Sequence, residues 1–266
     1  MKVAVIGCGA MGSALARPFS RTHSVSLCDR SQERSEALAQ EIGAEAYASQ
    51  ADAANGAEVV VLAVKPKDLP GVAKAISGSV TRGQLVVSIL AGTSLATLKR
   101  HFSKAHVLRM MPNLGVVCGK GVIGLVEDPD LLSDLRTKAE DLFASLGLVY
   151  WLPEDKVDAL TALASSGIAF VAALIEAMVD SGSLLGFTAA ESLEFVLKTV
   201  EGSVALLQTE KKSPGELKRQ VASPGGTTEA GLKVLEERKM REILIDAYAS
   251  ALKRAKEMHR ETESDF

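Results

Sequence analysis

The sequence predicts an α/β fold: an N-terminal, doubly wound and mostly parallel sheet, followed by an all-helical C-terminal half. Three observations carry this. Short β-rich runs alternate with helical patterns through the first 152 residues, the pattern of a parallel sheet covered on both faces. The run Glu58–Ala63 (EVVVLA) is apolar on both strand faces, as a central parallel strand requires. After Pro153 no further β-branched run with turn signals occurs, and only long 3.6-period segments remain.

The strand candidates are, in order, Lys2–Ile6, Ser24–Cys28, Glu58–Ala63, Leu85–Ile89 and Val107–Met110. Helical patterns over Met11–Ser20, Ser31–Ile42, Lys67–Ser77 and Leu95–Phe102 separate them. A strand at Gly121–Val126, a helix near 130–146 and a strand at Leu148–Leu152 complete the sheet. The expected division is therefore residues 1–152 and 153–266. In the second half, Ala190–Gln208 places Leu193, Val196, Leu197, Val200, Val204 and Leu207 on one face. The final residues ETESDF read as a frayed polar tail.

Composition narrows the class. The 266 residues are 47% hydrophobic and 24% charged, ordinary for a packed domain. A formal net charge of -3 offers no general attraction to nucleic acid or anionic lipid. Cys8, Cys28 and Cys118 form no CxxC pair, and the four histidines form no ligand set, so neither a metal site nor a disulfide framework is expected. A reducing, cytoplasmic setting fits. The start MKVAVIG is too short an apolar run for a signal peptide. Leu160–Met178 is interrupted by Ser165, Ser166, Gly167 and Glu176, so it is expected to be a buried helix rather than a membrane span of ~20 apolar residues.

Gly7-Cys8-Gly9-Ala10-Met11-Gly12 is G-x-G-x-x-G, set between the first strand and the first helix. Gly7 permits the tight turn, Gly9 the approach of a diphosphate, and Gly12 close helix–strand packing. The helix N-terminus, with Ala10 and Met11, offers N–H groups and partial positive charge to that diphosphate. This is the dinucleotide fingerprint of a Rossmann domain. Asp29, ending the second strand, suits a ribose hydroxyl and hence NAD; Arg30 and Ser31 suit a 2′-phosphate and hence NADP. A cap on the following helix by Asp29 or Ser31 is the alternative use. The expectation is NADPH, with NADH usable. Ala63-Val64-Lys65-Pro66 ends the apolar strand near the topological switch point, where ligands of open α/β sheets sit, although on spacing alone Lys65 fits a solvated turn residue equally well.

In the helical half, Ala222-Ser223-Pro224-Gly225-Gly226-Thr227-Thr228-Glu229 must turn and then open a helix. Backbone N–H groups and hydroxyls at such a helix start can cradle a carboxylate without Lys or Arg. An ordinary loop with a Thr cap fits the same residues. The apolar surface of Ser165–Leu185, rich in small residues, is too much for one small domain, so a homodimer is expected.

With these motifs in view, the chain resembles the pyrroline-5-carboxylate reductases from end to end. The resemblance rests on GCGAMG at 7–12, AVKP at 63–66, MPN at 111–113 and above all ASPGGTTEAGL at 222–232. It implies a Rossmann domain and an interlocked helical dimerisation domain, with the active site in the cleft between them, and homodimers that can build higher oligomers. It implies hydride transfer from NAD(P)H to 1-pyrroline-5-carboxylate. Residue by residue, it implies that Gly9–Gly12, Arg30 and Ser31 bind the nucleotide and that Ala63, Lys65 and Pro66 lie along it. It implies that Ser223, Gly225, Gly226, Thr227 and Thr228 hold the substrate, with Thr228 nearest the ring nitrogen, and that Asn113 lies near the nicotinamide. The chain departs from the family pattern Gly-Ser-Gly-Pro-Ala-Tyr, reading Ser165-Ser166-Gly167-Ile168-Ala169-Phe170. That departure leaves open a related cyclic imine as substrate. A β-hydroxyacid dehydrogenase shares the two-domain plan but uses a Lys on the long central helix, and Ser165–Leu185 has none. A deazaflavin-dependent NADP reductase shares only the nucleotide half, and a non-catalytic NADP sensor is the reading from outside enzymes.

Overall fold

A computed structural model describes residues 1–264 and Phe266. The chain begins β1 (Lys2–Ile6), α1 (Ala10–Ser20), β2 (Ser24–Cys28), α2 (Gln32–Ile42), β3 (Glu45–Ala46), α3 (Gln50–Ala54) and β4 (Val59–Leu62). It continues α4 (Leu69–Ile76), β5 (Leu85–Ser88), α5 (Leu95–His101), β6 (His106–Pro112), β7 (Gly121–Val126), α6 (Ser133–Ala144) and β8 (Gly147–Leu152). Helices α7 (Val157–Leu160), α8 (Ser166–Leu184), α9 (Ala189–Glu210), α10 (Pro214–Val221), α11 (Thr227–Glu237) and α12 (Met240–Ser264) follow.

The eight strands form one sheet in the order β3-β2-β1-β4-β5-β6-β7-β8. All neighbours are parallel except β6 and β7. Successive side chains of β1 feed two cores. Val3 and Val5 pack with Leu15 and Phe19 on one face, and Ala4 and Ile6 with Leu69 and Ile76 on the other. Each such fully buried large side chain contributes about 1.5–3 kcal/mol. Strand order reverses between β1 and β4, so the crevice at their carboxyl ends is the site the topology provides.

The chain divides into two compact units: Met1–Ser166 with Ala251–Phe266, and Gly167–Ser250. Packing thus divides after Ser166, later in the chain than the end of the sheet at Leu152. Sheet hydrogen bonding stops at Leu152, but packing does not: Val157 and Ala162 are buried, and Leu160 lies where a Cβ on Gly124 would be, at 2.3 Å. Of the tail expected to fray, residues up to Ser264 continue α12, and Glu263 is hydrogen-bonded to Ser94 and Thr97; Asp265 lies outside the described residues.

In the second unit, Thr188 with Glu191 and Ser213 with Glu216 form capping boxes that start α9 and α10. A Cβ on Gly182 would meet the Ser192 hydroxyl at 2.1 Å, so α8 and α9 approach at backbone distance there. The burial expected of α8 is not supplied within one chain, since only its Gly167 and Gly182 are buried. By length and composition alone Glu154–Leu184 could cross a membrane, and only 11% of its most apolar window is buried, against the buried helix expected from the sequence. Leu184, Leu193, Phe195, Leu197 and Val204 are also exposed, so the helical unit carries an uncovered apolar surface.

Candidate active site

The turn after β1 is built as its glycines require. Gly7 adopts φ +102°, and a Cβ there would lie 2.5 Å from the Ala63 carbonyl oxygen. Gly12 packs α1 onto the turn, where a Cβ would lie 1.9 Å from the Gly7 carbonyl oxygen. A Cβ on Gly9 would meet nothing within 4 Å, so this glycine faces open space. That space belongs to a cleft of about 970 Å³ in the first unit, lined among others by Gly7, Gly9, Ala10, Met11, Arg30, Ala63, Lys65 and Pro66. Gly12 and Ser31 are not among the lining residues. Gly12 acts through packing, and Ser31 is the N-cap residue of α2, without a side-chain cap bond.

Asp29 is used differently from a ribose ligand. Its Oδ2 accepts the Cys8 N–H at 2.6 Å and its Oδ1 the Ser31 N–H at 2.8 Å, with Arg34 Nη1 at 3.5 Å. The carboxylate therefore ties the glycine turn to the start of α2, and both oxygens are engaged. Asp29 also lines the cleft, so its carboxylate serves the backbone of the turn from within the site. Arg34, four residues beyond Arg30, also lines the cleft, as do Ala48 and Gln50. Sequence reasoning missed these three. Arg34 was legible as a second cation one helical turn along α2, whereas Ala48 and Gln50 follow a two-residue strand that has no periodic signature. Burial, with help from the Asp29 charge, pushes the Cys8 thiol up to about 12, so it fills space and is not a nucleophile.

Beyond β4, Lys65 takes an extended conformation ahead of a 3-10 turn at Pro66–Asp68. The other end of the cleft holds Ile89, Ala91, Met111, Pro112, Thr161 and Ser165. Asn113, expected beside the nicotinamide, is not brought into the lining. Its Oδ1 accepts the N–H groups of Gly115 (3.2 Å) and Val122 (3.0 Å), and its Nδ2 donates to the Ala164 carbonyl at 2.9 Å. This buried amide instead fixes the segment that carries Pro112 and Ser165.

The Pro-Gly-Gly bend lies in the second unit. Gly225 turns at φ +72°, Gly226 is the N-cap residue of α11, and the Gly226 N–H donates to the Ser223 carbonyl at 3.0 Å. The first intrahelical bond comes from Ala230, so the N–H groups of Thr227, Thr228 and Glu229 precede it and point out of the helix end. The Gly225 N–H is taken by the Glu229 carboxylate at 2.7 Å, so the cradle is narrower than the sequence suggested. Gly225 and Gly226 line a shallow surface pocket with Glu229 and Lys233. Where the family tyrosine is replaced, Phe170 packs edge-on to Tyr248, and the Tyr248 hydroxyl lies 3.3 Å from where a Cβ on Gly167 would be. Among the described residues, no group of three or more His, Cys, Asp or Glu side chains could hold a metal ion.

Comparison with known proteins agrees with both halves. The description "Pyrroline-5-carboxylate reductase dimerisation" matches residues 154–258, and "NADP oxidoreductase coenzyme F420-dependent" matches residues 2–92. Pyrroline-5-carboxylate reductase of Aquifex aeolicus is 36% identical, over 97% of this chain and 97% of that one. The enzyme of Thermus thermophilus is also 36% identical, over 97% and 98%. The crystal structure of Plasmodium falciparum pyrroline carboxylate reductase with NADP bound superposes with a TM-score of 0.87 at 26% identity, covering 97% of this chain and 98% of that one. The Coxiella burnetii pyrroline-5-carboxylate reductase structure gives 0.86 at 29%, covering 96% and 97%. Similarity over nearly the whole length of these relatives, together with the bend at 222–232, establishes that the chain belongs to the pyrroline-5-carboxylate reductase family.

Proposed function

We propose that this protein reduces the C=N bond of 1-pyrroline-5-carboxylate to give L-proline, with NADPH as hydride donor and NADH usable. The observation that carries the reading is the pairing of two features in one chain: a dinucleotide cleft with Gly9 facing open space, and an α11 N-terminus presenting three N–H groups beside Thr227 and Thr228. The residues present fit the cofactor. Gly9, Ala10 and Met11 would hold the diphosphate. Arg30, with Arg34 beside it at 3.5 Å from Asp29, would receive a 2′-phosphate at the adenosine end. Ala63, Lys65 and Pro66 follow the dinucleotide towards the β5–β6 end of the crevice.

The reduced nicotinamide supplies the hydride. The chain's residues have three tasks: to hold the carboxylate, to orient the ring, and to keep the imine protonated, because an iminium accepts hydride far better than a neutral imine. In this reading the N–H groups of Thr227 and Thr228, with Ser223, Gly225 and Gly226 shaping the bend, hold the carboxylate. The Thr228 hydroxyl hydrogen-bonds the ring nitrogen. It is too weak an acid to act alone, so its contribution is positioning and relay. The test is NADPH oxidation by the purified protein across several cyclic imines, with product identified by NMR. Proline formed from pyrroline-5-carboxylate at the highest kcat/KM supports the reading, and preference for another imine replaces the substrate. Thr228→Ala is expected to lower kcat/KM at least tenfold, about 1.4 kcal/mol, and an unchanged value would remove that role. Arg30→Ala is expected to raise KM for NADPH about tenfold, as loss of a charge-assisted contact implies, and to leave KM for NADH unchanged. Equal NADPH values in the two proteins would dissociate Arg30 from cofactor choice.

The family's dimerisation region covers the exposed apolar helices, which supports a homodimer through the helical unit. A higher assembly of dimers and a cytoplasmic location complete the proposal.

A further inference from the structure

The C-terminal end of α12 closes on the loop that follows β5. The Glu263 carboxylate accepts the Ser94 N–H at 2.7 Å, the Ser94 hydroxyl at 3.1 Å and the Thr97 hydroxyl at 2.9 Å. Thr97 Oγ1 in turn accepts from Arg100 Nη2 at 2.9 Å. Burial pushes the Glu263 carboxyl up, but these hydrogen bonds outweigh it and hold the group below the usual glutamate range. Beside it, Gly92 turns at φ +75°, and a Cβ there would lie 2.7 Å from Thr262 Oγ1 and 3.1 Å from the Met258 carbonyl oxygen. The loop backbone therefore rests directly on the helix. His259 Nδ1 lies 3.4 Å from Asp158, and the Phe266 ring meets His101 edge-on, so the contact continues on either side.

One residue before Gly92, Ala91 lines the dinucleotide cleft with Ile89, Met111 and Pro112. In the strand order, β5 and β6 lie across β1 and β4 from β2, whose carboxyl end leads into Arg30. The loop thus borders the end of the cleft opposite the 2′-phosphate site. We propose that Glu263 and Thr262 are positioning residues that set the Ala91–Ser94 loop against the nicotinamide half of the bound dinucleotide. The proposal rests on the reading of this cleft as the NADPH site.

The test compares two ligands on the full-length protein by titration calorimetry without imine: NADPH, which occupies both ends, and 2′,5′-ADP, which occupies only the adenosine end. Glu263→Ala is expected to raise the NADPH Kd about tenfold, the order expected for losing hydrogen bonds to a charged group, and to leave the 2′,5′-ADP Kd within about twofold. Thr97→Val, which keeps the shape and removes one donor, is expected to show the same selectivity at smaller size and guards against misfolding of the first variant. Equal weakening of both ligands would mean general loosening and overturn the proposal, as would unchanged binding of both. Wild-type protein that bound neither ligand would remove the cofactor reading and the proposal with it.

Discussion

Gly12→Ala is expected to weaken NADPH binding at least ~100-fold, about 2.7 kcal/mol, and to lower Tm at the same time. A Cβ at this position would lie 1.9 Å from the Gly7 carbonyl oxygen, 3.0 Å from its carbon and 3.1 Å from the Ala63 Cβ. Two of these partners are backbone, so no rotamer change relieves the contact. The first turn of α1 must move away from β1, which carries its N–H groups off the diphosphate position and opens a core containing Leu15 and Phe19. Gly9→Ala isolates the binding part of this effect. Its Cβ meets nothing within 4 Å, so Tm is expected to hold while NADPH binding falls, because the methyl group enters the space left for phosphate. Calorimetry and thermal melts of both variants check this. Wild-type affinity in Gly9→Ala would mean that the dinucleotide does not approach the turn at that residue.

Glu154→Ala is expected to cost about 3 kcal/mol of stability, the low end for removing one partner from a buried ion pair, because Glu154 itself is a third exposed. Arg109 sits on β6 at 1% exposure, and its Nη1 lies 2.6 Å from Glu154 Oε1. The same oxygen accepts the Leu95 N–H at 2.7 Å. Among the described residues Arg109 Nε and Nη2 have no partner, so the Glu154 carboxylate is the compensation those residues offer a guanidinium held out of water. For a chain of this size the loss corresponds to a drop in Tm of very roughly 6–12 °C. Glu154→Gln keeps an acceptor for both donors and should lose less. Arg109→Met combined with Glu154→Gln should recover most of the stability, because the uncompensated charge is then gone. Chemical denaturation of the three variants provides the measurement, and a wild-type midpoint in Glu154→Ala would show that water replaces the carboxylate at no cost.

The sheet was legible because its strands are short, apolar runs bounded by turns: β1 and β2 fall on the residues expected, β4 is one residue shorter at each end and β5 one residue shorter at its end. Glu45–Ala46 and Gln50–Ala54 were not legible, being too short to show a period of two or of 3.6. The antiparallel direction of β7 was hidden for another reason. Strand direction is decided by the Asn113–Gly119 connection, whose Asn113 hydrogen bonds are invisible in residue types alone. At the site, the glycine spacing and the Pro-Gly-Gly bend could be read directly, since each demands a special backbone. Residue type left the use of Asp29 open and gave no sign of the backbone bonds of Asn113, because a polar side chain near a ligand site can equally serve the backbone around it. The docked tail shows the same limit, since Glu263 among other charges looks solvated until its partners at Ser94 and Thr97 are known.

The strand-bearing unit is interrupted in the chain, since Ala251–Phe266 belongs to it and Gly167–Ser250 intervenes. During synthesis, the β5 loop leaves the ribosome well over a hundred residues before the Thr262–Glu263 segment that seats it, so the first unit cannot mature as a finished N-terminal piece. For the same reason, a gene fragment ending at Ser166 would encode the nucleotide crevice without the helix that braces one of its walls.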